Sequence, residues 1–299
     1  MVLSAVNKLE EGAVKIFLKM FDAQIQPIML YGAEIWGIND SYTEIEKTHM
    51  FAMKRFLRVS PKTPNDIVYG EFGRYPLRIN SVIRCIQFWL KLTRMESHRL
   101  PFKAYCTLKQ LDEKGKHCWV SDVRLTLSKH GFYYVWRNQG VESIRDFLKC
   151  FKQRMIDGRE QEWRGHLEES RRLEFYNNFK VDLSLEPYLQ LQLCRKIICT
   201  LTRFRAGVAG ILAHSKRYSA RSDDELICPV CKIEIENEIH FMFCCNVYDD
   251  LRNDLIPSKY YARPSIFRLN ALLRSKNENL MRNVTLFIYK ALKRRENLI

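Results

Sequence analysis

Apolar residues recur along most of the chain at the three- and four-residue spacing that places them on one face of a helix. The clearest apolar stripe begins near residue 78 and comprises Ile79, Val82, Ile83, Ile86, Trp89 and Leu90. A second stripe, near the C-terminus, comprises Leu280, Val284, Phe287, Ile288, Ala291 and Leu292. Short Gly- or Pro-containing breaks separate the predicted helices, and no long linker is evident. The pattern predicts a mainly α fold that ends in an amphipathic helix.

One short segment departs from this pattern, because cysteine and histidine recur in it at the spacing of a metal site. Cys228 and Cys231 are separated by two residues, His240 follows after eight more, and Cys244 and Cys245 close the set. Zn²⁺ takes four nitrogen or sulfur ligands in a tetrahedron, and a C-x2-C turn brings two sulfurs to one point. Four protein ligands predict a structural zinc ion, since a catalytic zinc keeps one position for water. The spacing leaves Cys244 and Cys245 as alternatives for the fourth ligand.

The charge of the chain favours a polyanionic partner. Its 299 residues carry a net charge of +15, and 46% of them are hydrophobic, so the chain can bury a core and still present a basic surface. Lysine and arginine spaced along a helix can neutralise successive phosphates of RNA or DNA. A basic surface without a specific partner is the alternative. The residues predicted to contact nucleic acid are Arg84, Lys91, Arg94, Arg195, Lys196, Arg203, Arg205, Lys216 and Arg217.

Targeting signals and membrane spans are not evident in the sequence. No run approaches the roughly 18 apolar residues of a membrane span, and residues 1–8 lack the apolar core of a secretory signal. We therefore expect an intracellular protein, in the nucleus or the cytoplasm, where grouped cysteines and histidines act as metal ligands.

No catalytic motif in the sequence stands in the context that its chemistry requires. Val247-Tyr-Asp-Asp250 has the form of a polymerase metal motif, but a two-metal site needs its carboxylates on a hairpin between apolar strands. Here the two acids open a predicted helix, where the helix dipole favours them. The sequence also contains no P-loop and no G-x-S-x-G motif. We expect no active site and no small-molecule substrate.

Three sequence blocks follow one another in an order that is typical of one protein family. The first is Pro-Ile-Met-Leu-Tyr-Gly-Ala-Glu-Ile-Trp at residues 27–36, and the second spans residues 62–77 with Thr-Pro, Gly-Glu-Phe-Gly and Pro-Leu. The third joins Cys228 and Cys231 to His240-Phe and then to Cys245-Asn-Val-Tyr. Together they resemble the C-terminal third of a non-LTR (LINE-type) retrotransposon reverse transcriptase. The resemblance favours Cys245 as the fourth zinc ligand.

The resemblance implies a division into four segments and a function. It implies a thumb-like helical region at 1–100, a helical linker with the basic block at 101–220, a CCHC zinc knuckle at 221–257, and a basic C-terminal helix at 258–299. The chain would bind RNA and/or DNA and would not be an enzyme, because the family's polymerase core and endonuclease are not evident in it. Two alternatives remain: a zinc-stabilised helical module that binds an acidic protein, and a retroelement relic without a function.

Overall fold

The computed structural model describes residues 13–39, 42–216 and 226–299, and these are mainly helical. This confirms the predicted fold class. Within the described ranges there is no β-strand, and two isolated antiparallel bridges join Phe72 to Leu185 and Ile227 to Ile235. The α-helices are α1 (Ala13–Met20), α2 (Gln26–Met29), α3 (Ala33–Trp36), α4 (Tyr42–Leu57), α5 (Asn65–Phe72), α6 (Arg78–Thr93), α7 (Leu100–Glu113), α8 (Trp119–Lys129), α9 (Tyr133–Arg137), α10 (Ile144–Glu169), α11 (Glu174–Asn177), α12 (Arg195–Arg205), α13 (Leu212–Lys216), α14 (Asp249–Leu255), α15 (Ser258–Tyr261), α16 (Ile266–Leu273) and α17 (Glu278–Leu298).

Wider and tighter helical turns interrupt this series. π-helical turns cover Phe21–Ile25 and His240–Cys244, and 3₁₀ turns cover Pro187–Gln190 and Asn246–Tyr248. Among the described helices, none is both long enough and apolar enough to cross a membrane. Each of the ten cysteines is a free thiol.

The contacts group the chain into two compact units. The first unit contains the described residues of 1–21, 50–74 and 163–299, and the second contains those of 22–49 and 75–162. The four segments expected from the sequence remain a prediction.

The core of the second unit is built on the apolar stripe of α6. Val82, Ile86 and Trp89 are at most 1% exposed. Trp89 stacks on Trp136 of α9, with ring centroids 5.6 Å apart, and its indole N–H donates to the Tyr105 hydroxyl at 3.3 Å. The helical stripe predicted from the sequence therefore forms the interior face that α7, α8 and α9 cover.

In the first unit, α17 packs its apolar face against α12 and α14. Val284, Phe287 and Ile288 are fully buried, and Phe287 contacts the ring of Phe241 at 6.2 Å between centroids. The Asn277 side chain caps the start of α17 by accepting a hydrogen bond from the Leu280 N–H at 2.9 Å. This confirms the predicted C-terminal amphipathic helix.

Candidate metal centre and basic surface

The four predicted metal ligands come together in the first unit. Each of Cys228, Cys231, His240 and Cys245 offers a ligand atom, and these atoms all lie within 4.8 Å of one another. In a tetrahedral site with bonds of about 2.3 Å to sulfur and about 2.0 Å to nitrogen, ligand atoms are roughly 3.5–3.8 Å apart. Small side-chain movements therefore suffice to close the set on one ion. These residues, hereafter the Cys/His cluster, can hold a metal ion.

A tight backbone turn positions the first two cysteines. The Cys228 N–H donates to the Glu234 carbonyl at 2.8 Å, and the Glu236 N–H donates to the Leu226 carbonyl at 2.8 Å. Lys232 closes the turn in the left-handed region, with φ of 59°, and its N–H donates to the Cys228 carbonyl at 2.9 Å. This geometry directs both cysteine side chains to the same side of the turn, as the C-x2-C spacing predicts.

A π-helical turn positions the other two ligands. The Cys245 N–H donates to the His240 carbonyl at 2.8 Å, five residues earlier, and the Asn237 side chain accepts from the His240 N–H at 2.8 Å. In a regular α-helix, residues five apart point in different directions, whereas the wider π turn brings them to one side. Cys245 is consequently buried in the cluster, and Cys244 is exposed to solvent. The geometry thus selects Cys245 from the two alternatives.

The thiols of the cluster favour a cation among them. Burial, and then the charge of the neighbouring Cys228 and Cys231, raises the pKa of Cys245 to about 12. For Cys231, burial raises the pKa, but hydrogen bonds from the Ile233 and Glu234 N–H groups and the Cys228 thiol outweigh it and lower the pKa. Three adjacent thiolates repel one another unless a cation lies between them, and a bound metal ion deprotonates its thiol ligands. The donor set therefore fits a metal ion.

The histidine of the cluster is oriented by a carboxylate. His240 Nδ1 lies 3.1 Å from Glu234 Oε2, and His240 Nε2 lies 3.3 Å from Cys231 Sγ. When Nδ1–H donates to Glu234, the lone pair of Nε2 points into the cluster. Metal-binding histidines commonly donate their second ring N–H to such a carboxylate.

Three arginines that the sequence analysis did not single out support the cluster. Arg252 of α14 is buried and donates to the carbonyls of Met242 and Cys245. From α17, Arg295 forms a bidentate ion pair with Glu236 at 2.6 and 2.8 Å, and Arg294 pairs with Asp250 at 2.5 and 2.7 Å. Arg294 and Arg295 lie in the basic C-terminal segment, whereas Arg252 lies among the acidic residues of α14, and neither setting indicates the partners of these arginines.

The Asp-Asp pair of the polymerase-like motif lies in the first turn of α14. Asp249 pairs with Arg252 and Asp250 with Arg294. Both carboxylates are thus at a helix N-terminus, as the sequence analysis expected, and each contacts an arginine that supports the cluster.

Of the residues on α12 that were predicted to contact nucleic acid, some lie at the surface and others are buried. Lys196 is exposed and Arg203 is half-buried at the surface, and both line a cavity of about 190 Å³ together with Arg58 and Lys293. Arg58 and Lys293 were not predicted, because they come from parts of the chain far from α12.

Arg195 and Arg205 belong to the core, and their prediction as nucleic-acid contacts is corrected accordingly. The guanidinium of Arg195 is buried and lies 5.2 Å from the centre of the Phe56 ring. Arg205 is 1% exposed and lies 3.0 Å from both Glu71 and Glu186. The Arg205 guanidinium pairs with two carboxylates in the core, and Arg195 is buried beside an aromatic ring, so neither residue is part of the exposed basic surface.

In the second unit, Arg84 and Lys91 lie on α6, and Arg94 directly follows it. Lys91 is exposed. Arg84 donates to the Leu30 carbonyl at 3.0 Å and Arg94 to the Glu142 carbonyl at 2.8 Å, which leaves each guanidinium with further N–H donors. The Lys216 side chain and Arg217, also predicted contacts, lie outside the described residues.

Comparisons of the chain with protein-family models, with curated proteins and with solved structures found no match.

Proposed function

We propose that the Cys/His cluster holds a structural zinc ion. The observation that carries this proposal is the convergence of three cysteine sulfurs and one histidine nitrogen within 4.8 Å, with His240 oriented by Glu234. Sulfur and imidazole ligands in this ratio suit Zn²⁺, and four protein ligands complete its tetrahedron. The ion would link the C-x2-C turn to the π-helical turn, so its binding would contribute directly to the stability of this part of the first unit.

A direct test is the zinc content of the purified protein and two serine variants. We expect about one zinc per chain in the wild type. Cys245→Ser should lower the zinc affinity strongly, because Cys245 is buried in the cluster, whereas Cys244→Ser should retain zinc, because Cys244 is exposed one residue away. Equal zinc loss in both variants, or full retention in both, would contradict the proposed ligand set.

We further propose that the protein binds nucleic acid through its basic surface. Support comes from the net charge of +15 and from Lys196 and Arg203, which line one surface pocket. Such contacts supply affinity that does not depend on base sequence. The resemblance to the C-terminal region of non-LTR retrotransposon reverse transcriptases makes RNA or target DNA the expected polymer. In this proposal the chain has a binding role and performs no catalytic step.

The test is a salt series of binding to single-stranded RNA and duplex DNA, with and without a zinc chelator. We expect the logarithm of the binding constant to fall linearly with the logarithm of the salt concentration. Poly-glutamate serves as the matched acidic polypeptide. Binding to poly-glutamate alone would support a protein-interaction module. A protein that binds neither RNA nor DNA would contradict the proposal.

The Cys/His cluster and the basic pocket are connected through α17. This helix contributes Lys293 to the pocket and Arg294 and Arg295 to the support of the cluster. Loss of zinc should therefore disturb the basic pocket as well as the cluster, and chelation should weaken nucleic-acid binding without removing any of the basic residues.

A further inference from the structure

The pocket lined by Lys196 and Arg203 is strongly basic. It lies within the first unit, between the C-terminal half of α17, helix α12 and the end of α4. Among its described lining residues, four are cations and one, Glu296, is a carboxylate. Tyr289 also lines it and adds a hydroxyl donor. The excess of positive charge indicates an anionic ligand.

The cations of this pocket differ from their neighbours on the same helices. Arg205 on α12, and Arg294 and Arg295 on α17, all pair with carboxylates. Within residues 13–39, 42–216 and 226–299, no ion pair involves the four pocket cations, which are Arg58, Lys196, Arg203 and Lys293. Four unneutralised cations around one concavity repel one another, and an anion that binds between them removes this repulsion.

The size of the pocket limits what the anion can be. A cavity of about 190 Å³ corresponds to roughly six water molecules. Cavities that enclose drug-sized ligands have volumes of about 300–1,000 Å³. The pocket therefore matches one compact multivalent anion, such as a phosphate group, and is too small to enclose a whole nucleotide.

The backbone at Arg58 is held in an unusual conformation at the edge of this pocket. Arg58 follows the last residue of α4 with φ of 54°. Its N–H donates to the Arg55 carbonyl at 3.4 Å, and the Val59 N–H donates to the Lys54 carbonyl at 3.2 Å. This is the Schellman arrangement, in which glycine is the usual residue at the left-handed position. An arginine there has a conformational cost that a glycine would avoid, and its side chain adds a cation to the pocket.

We propose that this pocket binds a single phosphate group of a nucleic-acid strand. The guanidinium groups of Arg58 and Arg203 and the ammonium groups of Lys196 and Lys293 donate charge-assisted hydrogen bonds to the phosphate oxygens. The inference rests on the proposed nucleic-acid binding and specifies where one phosphate is held. Since the pocket contacts a phosphate and encloses no base, it adds affinity and positions the strand without reading its sequence.

The experiment measures binding of an eight-residue thymidine oligonucleotide, with and without a 5′-phosphate, to the full chain over a range of salt concentrations. We expect Arg203→Gln to lower the affinity about tenfold, as expected for a lost hydrogen bond between charged groups. The salt dependence should decrease by about 0.7 in slope, which corresponds to one phosphate contact on a single strand. Arg58→Gly should also weaken binding, and it is expected to fold at least as stably as the wild type.

The matched control is Arg282→Gln, which removes an exposed cation from α17 outside the pocket. Arg282 lies eleven residues before Lys293, about 16 Å along the helix axis. If Arg203→Gln and Arg58→Gly bind as the control does while the wild type binds with a clear salt dependence, the pocket proposal is overturned and the proposed function stands. If the wild type binds no oligonucleotide, both are overturned.

The two oligonucleotides also identify the source of the phosphate. A preference of the wild type for the 5′-phosphorylated strand that disappears in Arg203→Gln would assign the pocket to a terminal phosphate. Equal weakening of both strands would assign it to an internal phosphodiester. A rise in melting temperature with inorganic phosphate, in a protein that binds neither strand, would assign it to free phosphate and overturn the nucleic-acid proposal.

Discussion

Arg252 donates a hydrogen bond from Nη2 to the carbonyl oxygen of Cys245, with a distance of 2.8 Å. Its Nε donates to the carbonyl of Met242 at 2.9 Å, so one buried guanidinium holds two carbonyls around the π-helical turn. Carbonyl groups at the end of a helical turn lack partners within it. Arg252 supplies them, and it thereby positions the backbone that carries the fourth ligand of the Cys/His cluster.

We predict that Arg252→Met lowers the zinc affinity by about 10- to 100-fold, the usual effect of removing a group that orients a metal ligand. Methionine keeps most of the apolar volume and removes the donors. The measurement is a competition titration against a chromogenic zinc chelator. The control is Arg263→Met, since Arg263 is exposed and lies outside the cluster. An affinity in Arg252→Met that matches the control would show that the hydrogen bonds to the π-helical turn do not support zinc binding.

A second prediction concerns the buried ion pair between Arg205 and Glu71. The Arg205 side chain is 1% exposed and that of Glu71 is fully buried, and Glu71 also accepts a hydrogen bond from the Tyr188 hydroxyl. Removing one member of such a pair leaves a buried charge without its partner. Arg205→Met should therefore lower the free energy of unfolding by about 3–5 kcal/mol, measured by urea denaturation.

Arg203 provides the control for this prediction, because it lies two residues away on α12 with its side chain at the surface. Arg203→Met should change the stability by about 0.5 kcal/mol or less. Adding Glu71→Met to Arg205→Met should restore part of the lost stability, since it removes the unpaired carboxylate. A double variant that is less stable than Arg205→Met would contradict this explanation.

The contrast between Arg203 and Arg205 shows what the sequence could and could not predict. The apolar spacing of α6 and α17 predicts helices with one buried face, and the structure confirms them. One carboxylate partner of Arg205, however, is Glu71, which is 134 residues away in the chain. Helical periodicity describes one element at a time, so the sequence assigned both arginines to the basic surface. The fold separates them into a core residue and a surface residue.

The Cys/His cluster shows the same limit on a smaller scale. The spacing of Cys228, Cys231 and His240 predicts a metal site, and the structure brings these residues together. The choice between Cys244 and Cys245 depends on whether the turn after His240 is α- or π-helical, which spacing does not determine. Arg252 and the other arginines that support the cluster were missed because the sequence does not show which carbonyls and carboxylates they contact.

A third prediction concerns pH. Hydrogen bonds from Arg294 hold the pKa of Asp250 at about 2. Since this is below the value of about 3.9 in an unfolded chain, the interaction stabilises the folded protein above pH 4 and is lost as the pH falls from about 4 to about 2. In Arg294→Gln, the Asp250 carboxyl should titrate near its ordinary value, measured by ¹³C NMR. Because the pair is largely exposed, its effect on stability should be small. A titration unchanged from the wild type would contradict the role of Arg294.

The single carboxylate of the basic pocket provides the last prediction. Glu296 is exposed at the end of α17 and lines the pocket beside Lys293 and Arg203. A negative charge there opposes a phosphate, so Glu296→Gln should strengthen oligonucleotide binding by about threefold at low salt, within the range of exposed charge interactions. The gain should disappear at high salt, because screening reduces the repulsion between exposed charges.

The matched control is Glu278→Gln, which removes an acid from the other end of α17, outside the pocket. Both variants raise the net charge of the protein by one, so a general effect of charge would strengthen binding equally in the two. A larger gain in Glu296→Gln than in Glu278→Gln would locate the phosphate in the pocket, whereas equal gains would show that the strand responds to the net charge of the protein alone.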